Sequence, residues 1–184
     1  MGNFDQLMHL IREWGDARNL IAPENLTGQT LKLVSEFGEL ADAIHKSDRN
    51  MIVDGFGDCM VVSIIIGATI GLEFSSANVF TFGLCKRNLD GTGPMGALGR
   101  FADAVAKKQP EIQRKELLQF VQDLADCCEW YDHNFVTCTL AAYEEIKDRK
   151  GVMYNGVFVK ESDPKYEAAL AEIMKSRQQI ASSQ

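Results

Sequence analysis

A chain of 184 residues with 46% hydrophobic and 24% charged side chains has the size and balance of one soluble globular domain. The formal net charge of −7 excludes unspecific attachment to a nucleic-acid polymer, which needs a basic surface. The longest apolar run, residues 59–72, holds 14 positions and includes Ser63 and Thr69, so it predicts a buried core helix and no membrane span.

From the N-terminus, Phe4, Leu7, Met8, Leu10, Ile11 and Trp14 recur at helical spacing and predict an amphipathic helix over 4–20. Trp14 falls on that stripe and reads as core, with stacking on a nucleobase as the alternative. The opening Met-Gly-Asn-Phe-Asp has no basic stretch leading into an apolar run, so no signal peptide is expected and the location reads as cytoplasmic. Ala22-Pro23-Glu24-Asn25 breaks the helix, and Asn25 or Thr27 can cap the next. That second helix carries a stripe of Leu31, Val34, Phe37, Leu40, Ala41 and Ile44. A polar turn over 45–50 leads to a third helix over 50–72, and its opening Asp54-Gly55-Phe56-Gly57-Asp58 puts two glycines in a helix interior. Each costs about 1 kcal/mol relative to alanine, which points to close packing or to the approach of a ligand.

Residues 75–88 read as a short helix ending in Lys86-Arg87-Asn88, and Asp90-Gly91-Thr92-Gly93-Pro94 reads as a linker. The glycines of 91–96 make no phosphate loop, because the Gly-Lys-Ser/Thr ending is missing. Three more helices follow over 97–108, 113–131 and 135–149. Here the chain echoes itself: Leu40-Ala41-Asp42-Ala43-Ile44 against Phe101-Ala102-Asp103-Ala104-Val105 at an offset of 61, and Gly57-Asp58-Cys59 against Ala125-Asp126-Cys127 at 68. The echo predicts a second half that keeps its helices without the acids and buries apolar faces of the first. Asn155-Gly156 between β-forming residues of 152–159 predicts a hairpin, and Pro164 opens a last helix over 165–178. The fold class is all-α with a short C-terminal β-hairpin.

Five cysteines (Cys59, Cys85, Cys127, Cys128, Cys138) contain no Cys-x-x-Cys pair and suit a reducing cytosol, and histidines scattered at 9, 45 and 133 give no zinc spacing. The chemistry lies elsewhere. Glu36 and Glu39 share one helix face, and Asp54 and Asp58 share another. Folding the two helices back on the 45–50 turn brings Glu36 level with Asp58 and Glu39 level with Asp54, since the midpoints are 47 and 46.5. Four half-buried carboxylates repel one another, so a cation must neutralise them, and hard oxygen ligands suit magnesium or manganese. A metal so held leaves positions for phosphate oxygens, and positive side chains are then expected from Lys147, Arg149 and Lys150, from Lys86 and Arg87, and from Lys32 one turn before Glu36. Asp42 and Asp48 read as solvent-facing or capping. Gln29, ahead of Glu36 on the same helix, can reach a base edge.

Leu33-Val34-Ser35-Glu36-Phe37-Gly38-Glu39-Leu40-Ala41-Asp42-Ala43-Ile44, followed by Asp54-Gly55-Phe56-Gly57-Asp58-Cys59-Met60-Val61-Val62, resembles the MazG-like all-α nucleoside triphosphate pyrophosphohydrolases, especially the short phage and bacterial members. Ala142-Tyr143-Glu144-Glu145-Ile146-Lys147-Asp148-Arg149-Lys150-Gly151, continuing into Asn155–Glu161, is similar to their tail. The resemblance covers about 4–72 and 139–163, which nearly adjoin in the short relatives. It divides one domain into an acidic half (1–90), an insertion or degenerate second half with the basic helix (95–150), and the hairpin with its final helix (151–184). The family pattern is Glu-x-x-Glu followed by Glu-x-x-Asp. Glu36, Glu39 and Asp58 match it, while Gly55 stands where the third acid is usual and Asp54 precedes it by one. The resemblance implies magnesium-dependent hydrolysis of nucleoside or deoxynucleoside triphosphates between the α and β phosphates, with Glu36, Glu39, Asp54 and Asp58 on the metal. Lys147 and Arg149 would hold the departing phosphates. It also implies a homodimer or larger assembly. The alternative is a non-catalytic nucleotide-binding or interaction module of the same fold.

Overall fold

A computed structural model describes residues 2–80 and 90–181, with side chains described for 4–80 and 90–179. The main core is arranged around α3, Arg49–Ile70. This helix is apolar on nearly every face, and α1 (Gly2–Ala17), α2 (Leu26–Lys46), α6 (Pro110–Trp130) and α7 (Phe135–Ile146) all pack against it. It is long and apolar enough to cross a membrane, with a mean hydropathy of 1.8, yet 72% of its most apolar stretch is buried inside the protein. The core-helix expectation for 59–72 therefore holds. Phe56, Cys59, Met60 and Ile66 are wholly enclosed.

The α2–α3 turn is built by two residues. Ser47 adopts the left-handed conformation that closes α2, and the Asp48 carboxylate accepts from the backbone N–H of Asn50 and Met51 to cap α3. Asp42 lies exposed in an ion pair with Lys46 at 2.6 Å. Both acids thus play the capping and solvent-facing parts expected of them. The turn recurs between α5 (Thr92–Ala106) and α6. Ser47 and Lys108 have φ of 56° and 53°, Asp48 N and Gln109 N each donate at 3.0 Å to Ala43 O and Ala104 O, and Asp103–Lys107 repeats the Asp42–Lys46 pair at 2.7 Å. These equivalences follow the offset of 61; the match at 68 puts Asp126 seven positions further along α6 and drops out. The second hairpin packs on the first through α5 on α2 and α6 on α3, with Phe37 and Phe120 edge to face at 5.8 Å.

Three expectations need correction. α5 begins inside the supposed linker, because Asp90 accepts from Thr92 N–H at 3.0 Å and Pro94 is tolerated in a first turn that has no N–H to satisfy. Neither Asn25 nor Thr27 caps α2: a short 3-10 turn over Pro23–Asn25 runs straight into it, and the Asn25 amide turns inward to Asn19 O. On α2, Leu31 and Val34 are exposed, and the buried stripe is Leu33, Phe37, Leu40 and Ala43. Of the helix expected over 75–88, α4 covers Ser76–Val79; Lys86 and Arg87 lie outside the described residues.

β1 (Gly151–Tyr154) and β2 (Val157–Lys160) form the expected antiparallel hairpin, with Val152 opposite Val159 and Asn155-Gly156 at φ 50° and 77° in the turn. Val152 and Val159 make a small second core with Ala169 and Ile173 of α8, Tyr166–Ala181. Arg18 O accepts from Met153 N at 2.7 Å, and Arg177 reaches Asp16 at 3.1 Å, which ties this unit to the end of α1.

Candidate functional site

The two interior glycines fix how closely three helices meet. A Cβ at Gly55 would lie 2.8 Å from Leu40 Cβ and 3.0 Å from Leu40 Cα, so α2 and α3 touch backbone to backbone. A Cβ at Gly57 would lie 2.8 Å from Ala142 Cβ and collide with the Cys138 carbonyl, so α7 is equally close on the other side. Both glycines serve packing. Position 55 consequently faces α2, and the acids of α3 project from a different face, at Asp54 and Asp58.

Glu36 is 5% exposed and receives the Lys32 ammonium one turn earlier on α2. Asp58 is half-buried, and its carboxyl is pushed up to about 7, first by burial, then by the charges of Glu36 and Asp54, with Lys32 opposing. Asp54 is also raised, by burial and then by Glu145, Glu36 and Glu39, with Arg149 opposing. The Lys32 ammonium stays above its usual value because Glu36, Asp58 and Glu39 outweigh its burial. The four expected acids therefore share one electrostatic neighbourhood. Glu39 is its exposed member, and Ser35 Oγ donates to it at 3.4 Å.

A cavity of about 830 Å³ opens beside Glu36 and Asp58. Trp14, Gln29, Lys32, Glu36, Asp58, Arg149 and Lys150 line it, seven of the residues singled out from sequence, whereas Glu39 and Asp54 do not. Its apolar wall comes from Trp14, Leu20, Val61, Val62, Ile65 and Ile146, and the hairpin closes it with Met153, Phe158 and Lys160. Trp14 is half-buried with its Nε1–H donating to Ile146 O at 2.8 Å and the Arg18 guanidinium 4.5 Å over its ring. Arg18 also donates to Arg149 O at 2.7 Å and to Lys147 O at 3.3 Å, so α1 holds the basic end of α7 in place. Lys147 itself is not on the cavity wall; its ammonium pairs with Glu144. Arg149 pairs with Glu145 at 3.7 Å and Lys150 with Glu161 at 3.3 Å, while Lys160 has no ion pair among the described residues.

Sequence reasoning missed Glu145 and the hairpin residues Phe158 and Lys160. The signal for Glu145 was its place four before Arg149, on the same helix face. The hairpin residues carry no local signal, since only the tertiary fold brings residue 158 to residue 14.

All four acids offer hard oxygen donors, and the excess of negative charge around Asp58 suits a divalent cation in donor chemistry. Among the described residues, however, no three His, Cys, Asp or Glu side chains are gathered into a group that could hold a metal ion. The Lys32 ammonium sits on Glu36 instead.

No family model and no solved structure gives a significant match to the chain. A protein of Haemophilus phage HP1 (strain HP1c1), described as an uncharacterized 18.2 kDa protein in the rep-hol intergenic region, is 38% identical over 66 residues. That match covers 36% of this chain and 40% of the relative, so the chain spans about two fifths of the length of the protein it resembles.

Proposed function

We propose that this chain hydrolyses nucleoside and deoxynucleoside triphosphates between the α and β phosphates, releasing monophosphate and pyrophosphate, as a MazG-like helical bundle. The observation that carries the reading is the cavity, which combines two buried or half-buried acids, Glu36 and Asp58, with Lys32, Arg149, Lys150 and Lys160 and an apolar, aromatic wall. A triphosphate asks for that combination: charge compensation for its phosphates, a carboxylate to take a proton from attacking water, and a flat surface for its base. Glu36, Glu39, Asp54 and Asp58 would hold magnesium or manganese only after closing up and releasing the Lys32 ammonium from Glu36; the ion when bound polarises the phosphate. Arg149 offers a planar fork for phosphate oxygens. Lys147, named with it from sequence, would reach the phosphates only after leaving Glu144. The same reading takes the protein to be cytoplasmic and a homodimer or larger assembly, with α5–α6 contributing within one chain helices of the kind that family members draw from a second subunit.

Incubation with a panel of NTPs and dNTPs plus magnesium is expected to release pyrophosphate. Orthophosphate instead would make the protein a phosphatase. No release from any nucleotide would leave the non-catalytic binding module, the reading favoured by Gly55 and by the Lys32–Glu36 pair.

Asp54 is tested separately. Because its charge lies in the field of Glu36 and Glu39, Asp54→Asn should lower turnover by about tenfold or more, with part of the loss recovered at higher magnesium. Full activity in that variant would show that Asp54 does not replace the acid missing at position 55.

A further inference from the structure

Gln29 is only 7% exposed and lines the cavity, yet its side-chain amide has no hydrogen-bond partner among the described residues. The amide atoms are open to the cavity rather than sealed from it, so a ligand there can bond both. One turn earlier, Asn25 is equally buried at 7% and lines the same cavity. Its NH₂ is committed to Asn19 O at 2.7 Å and Leu20 O at 3.4 Å, which leaves Oδ1 as an acceptor. Glu24 adds a further acceptor on this wall. Trp14 and Phe158 supply the flat apolar surfaces nearby.

We propose that Gln29 reads the base of the nucleotide and selects adenine and cytosine; the inference rests on the triphosphate reading above. An amide presents a donor beside an acceptor and matches a ring edge with an amino group beside a ring nitrogen, as in adenine N6/N7 or N6/N1 and cytosine N4/N3. The second hydrogen of that amino group is what Asn25 Oδ1 or Glu24 can accept. Uracil and thymine can pair with the amide but bring no amino hydrogen for the second acceptor. Guanine pairs with the reversed amide through O6 and N1–H, but its O6, like O4 of uracil, then turns a lone pair toward the second acceptor, where adenine and cytosine bring a hydrogen. Where a bound base covers these groups, such a mismatch leaves one of them unpaired and is penalised.

The test uses calorimetry with the α,β-methylene triphosphates of adenosine, cytidine, guanosine and uridine in the presence of magnesium. The adenosine and cytidine analogues should bind about tenfold more tightly than the other two. Gln29→Met keeps the shape, removes both hydrogen-bonding atoms, and should bring all four within about threefold while the triphosphate still binds. Gln29→Glu turns the donor into an acceptor and should move preference toward guanosine, a change that a purely structural role would not produce. Equal binding of all four by the parent, or an unchanged preference in Gln29→Met, overturns the inference. Selectivity lost in Gln29→Met upholds it even if natural triphosphates yield no pyrophosphate, a result that retires only the hydrolase. Unchanged selectivity together with pyrophosphate release retires base reading and leaves the hydrolase standing.

Discussion

Asp58→Asn is expected to silence pyrophosphate release and, in the same molecule, to raise the melting temperature of the metal-free protein at pH 8. The first effect follows from its place on the cavity wall opposite Glu36: a neutral amide can neither help hold a divalent cation nor take a proton from water. Loss of one preorganised charge at a phosphoryl-transfer centre typically costs roughly a hundred- to a thousandfold in rate. The second effect follows from the Asp58 carboxyl being pushed from 3.8 up to about 7 by burial and by Glu36 and Asp54. Between those two values the folded protein holds a proton that the unfolded chain has lost, so stability falls as the pH rises through this window. Above it the folded state carries the full penalty. Because the carboxyl keeps part of its solvation, the expected gain on removing the charge is about 1–2 kcal/mol at pH 8, well below the full equivalent of the shift. That gain should shrink steadily as the pH is lowered towards 4. Glu36→Gln should silence pyrophosphate release as well, without a comparable stability gain, because it leaves the Lys32 ammonium without its partner. Thermal melts at several pH values beside pyrophosphate release check both halves. A stable, fully active Asp58→Asn would remove this carboxylate from the chemistry.

The contrast between stability and activity also explains which parts of the molecule the sequence could reveal. The α2–α3 turn was legible because Asp48 caps locally, and the hairpin because Asn155-Gly156 needs no distant partner. Misreading began where polar side chains enter the core. On α2 the buried face runs through Gln29, Leu33, Glu36, Phe37 and Leu40, so an amide and a carboxylate occupy positions that a packing rule assigns to apolar residues. Their presence shifted the apparent stripe to Leu31 and Val34, which the fold leaves at 66% and 45% exposure. The expected neighbour of Asp58 follows from residue count alone, and Glu36 is the first charge it feels; Asp54 feels Glu145 and Glu36 before the Glu39 expected level with it. Which acid faces the site was harder, since that depends on how tightly α3 is wedged between α2 and α7. Glu145 was harder still: it comes within reach of Asp54 only because Gly57 lets α7 approach.

That wedge gives the last expected result: Gly55→Glu restores the acid that the resembled family carries, and should destabilise the protein without activating it. Its Cβ would stand 2.8 Å from Leu40 Cβ and 3.0 Å from the Leu40 Cα, and backbone cannot swing aside as a flexible side chain can. Overpacking of this kind costs about 1–3 kcal/mol, and a carboxylate driven between two apolar helices adds a desolvation cost of its own. A total of about 3 kcal/mol or more would lower the melting temperature of a chain this long by roughly 6–12 °C. Gly55→Ala separates the two costs. It meets the same wall but gains about 1 kcal/mol in helix propensity, so its melting temperature should fall between those of the parent and Gly55→Glu. Measured together, the three proteins decide how the acidic cluster is built. The order parent, alanine, glutamate means that close helix packing has taken over position 55, leaving the acid one residue earlier, at Asp54. If Gly55→Glu melts with the parent and turns over faster, position 55 faces the cavity and Asp54 is a bystander.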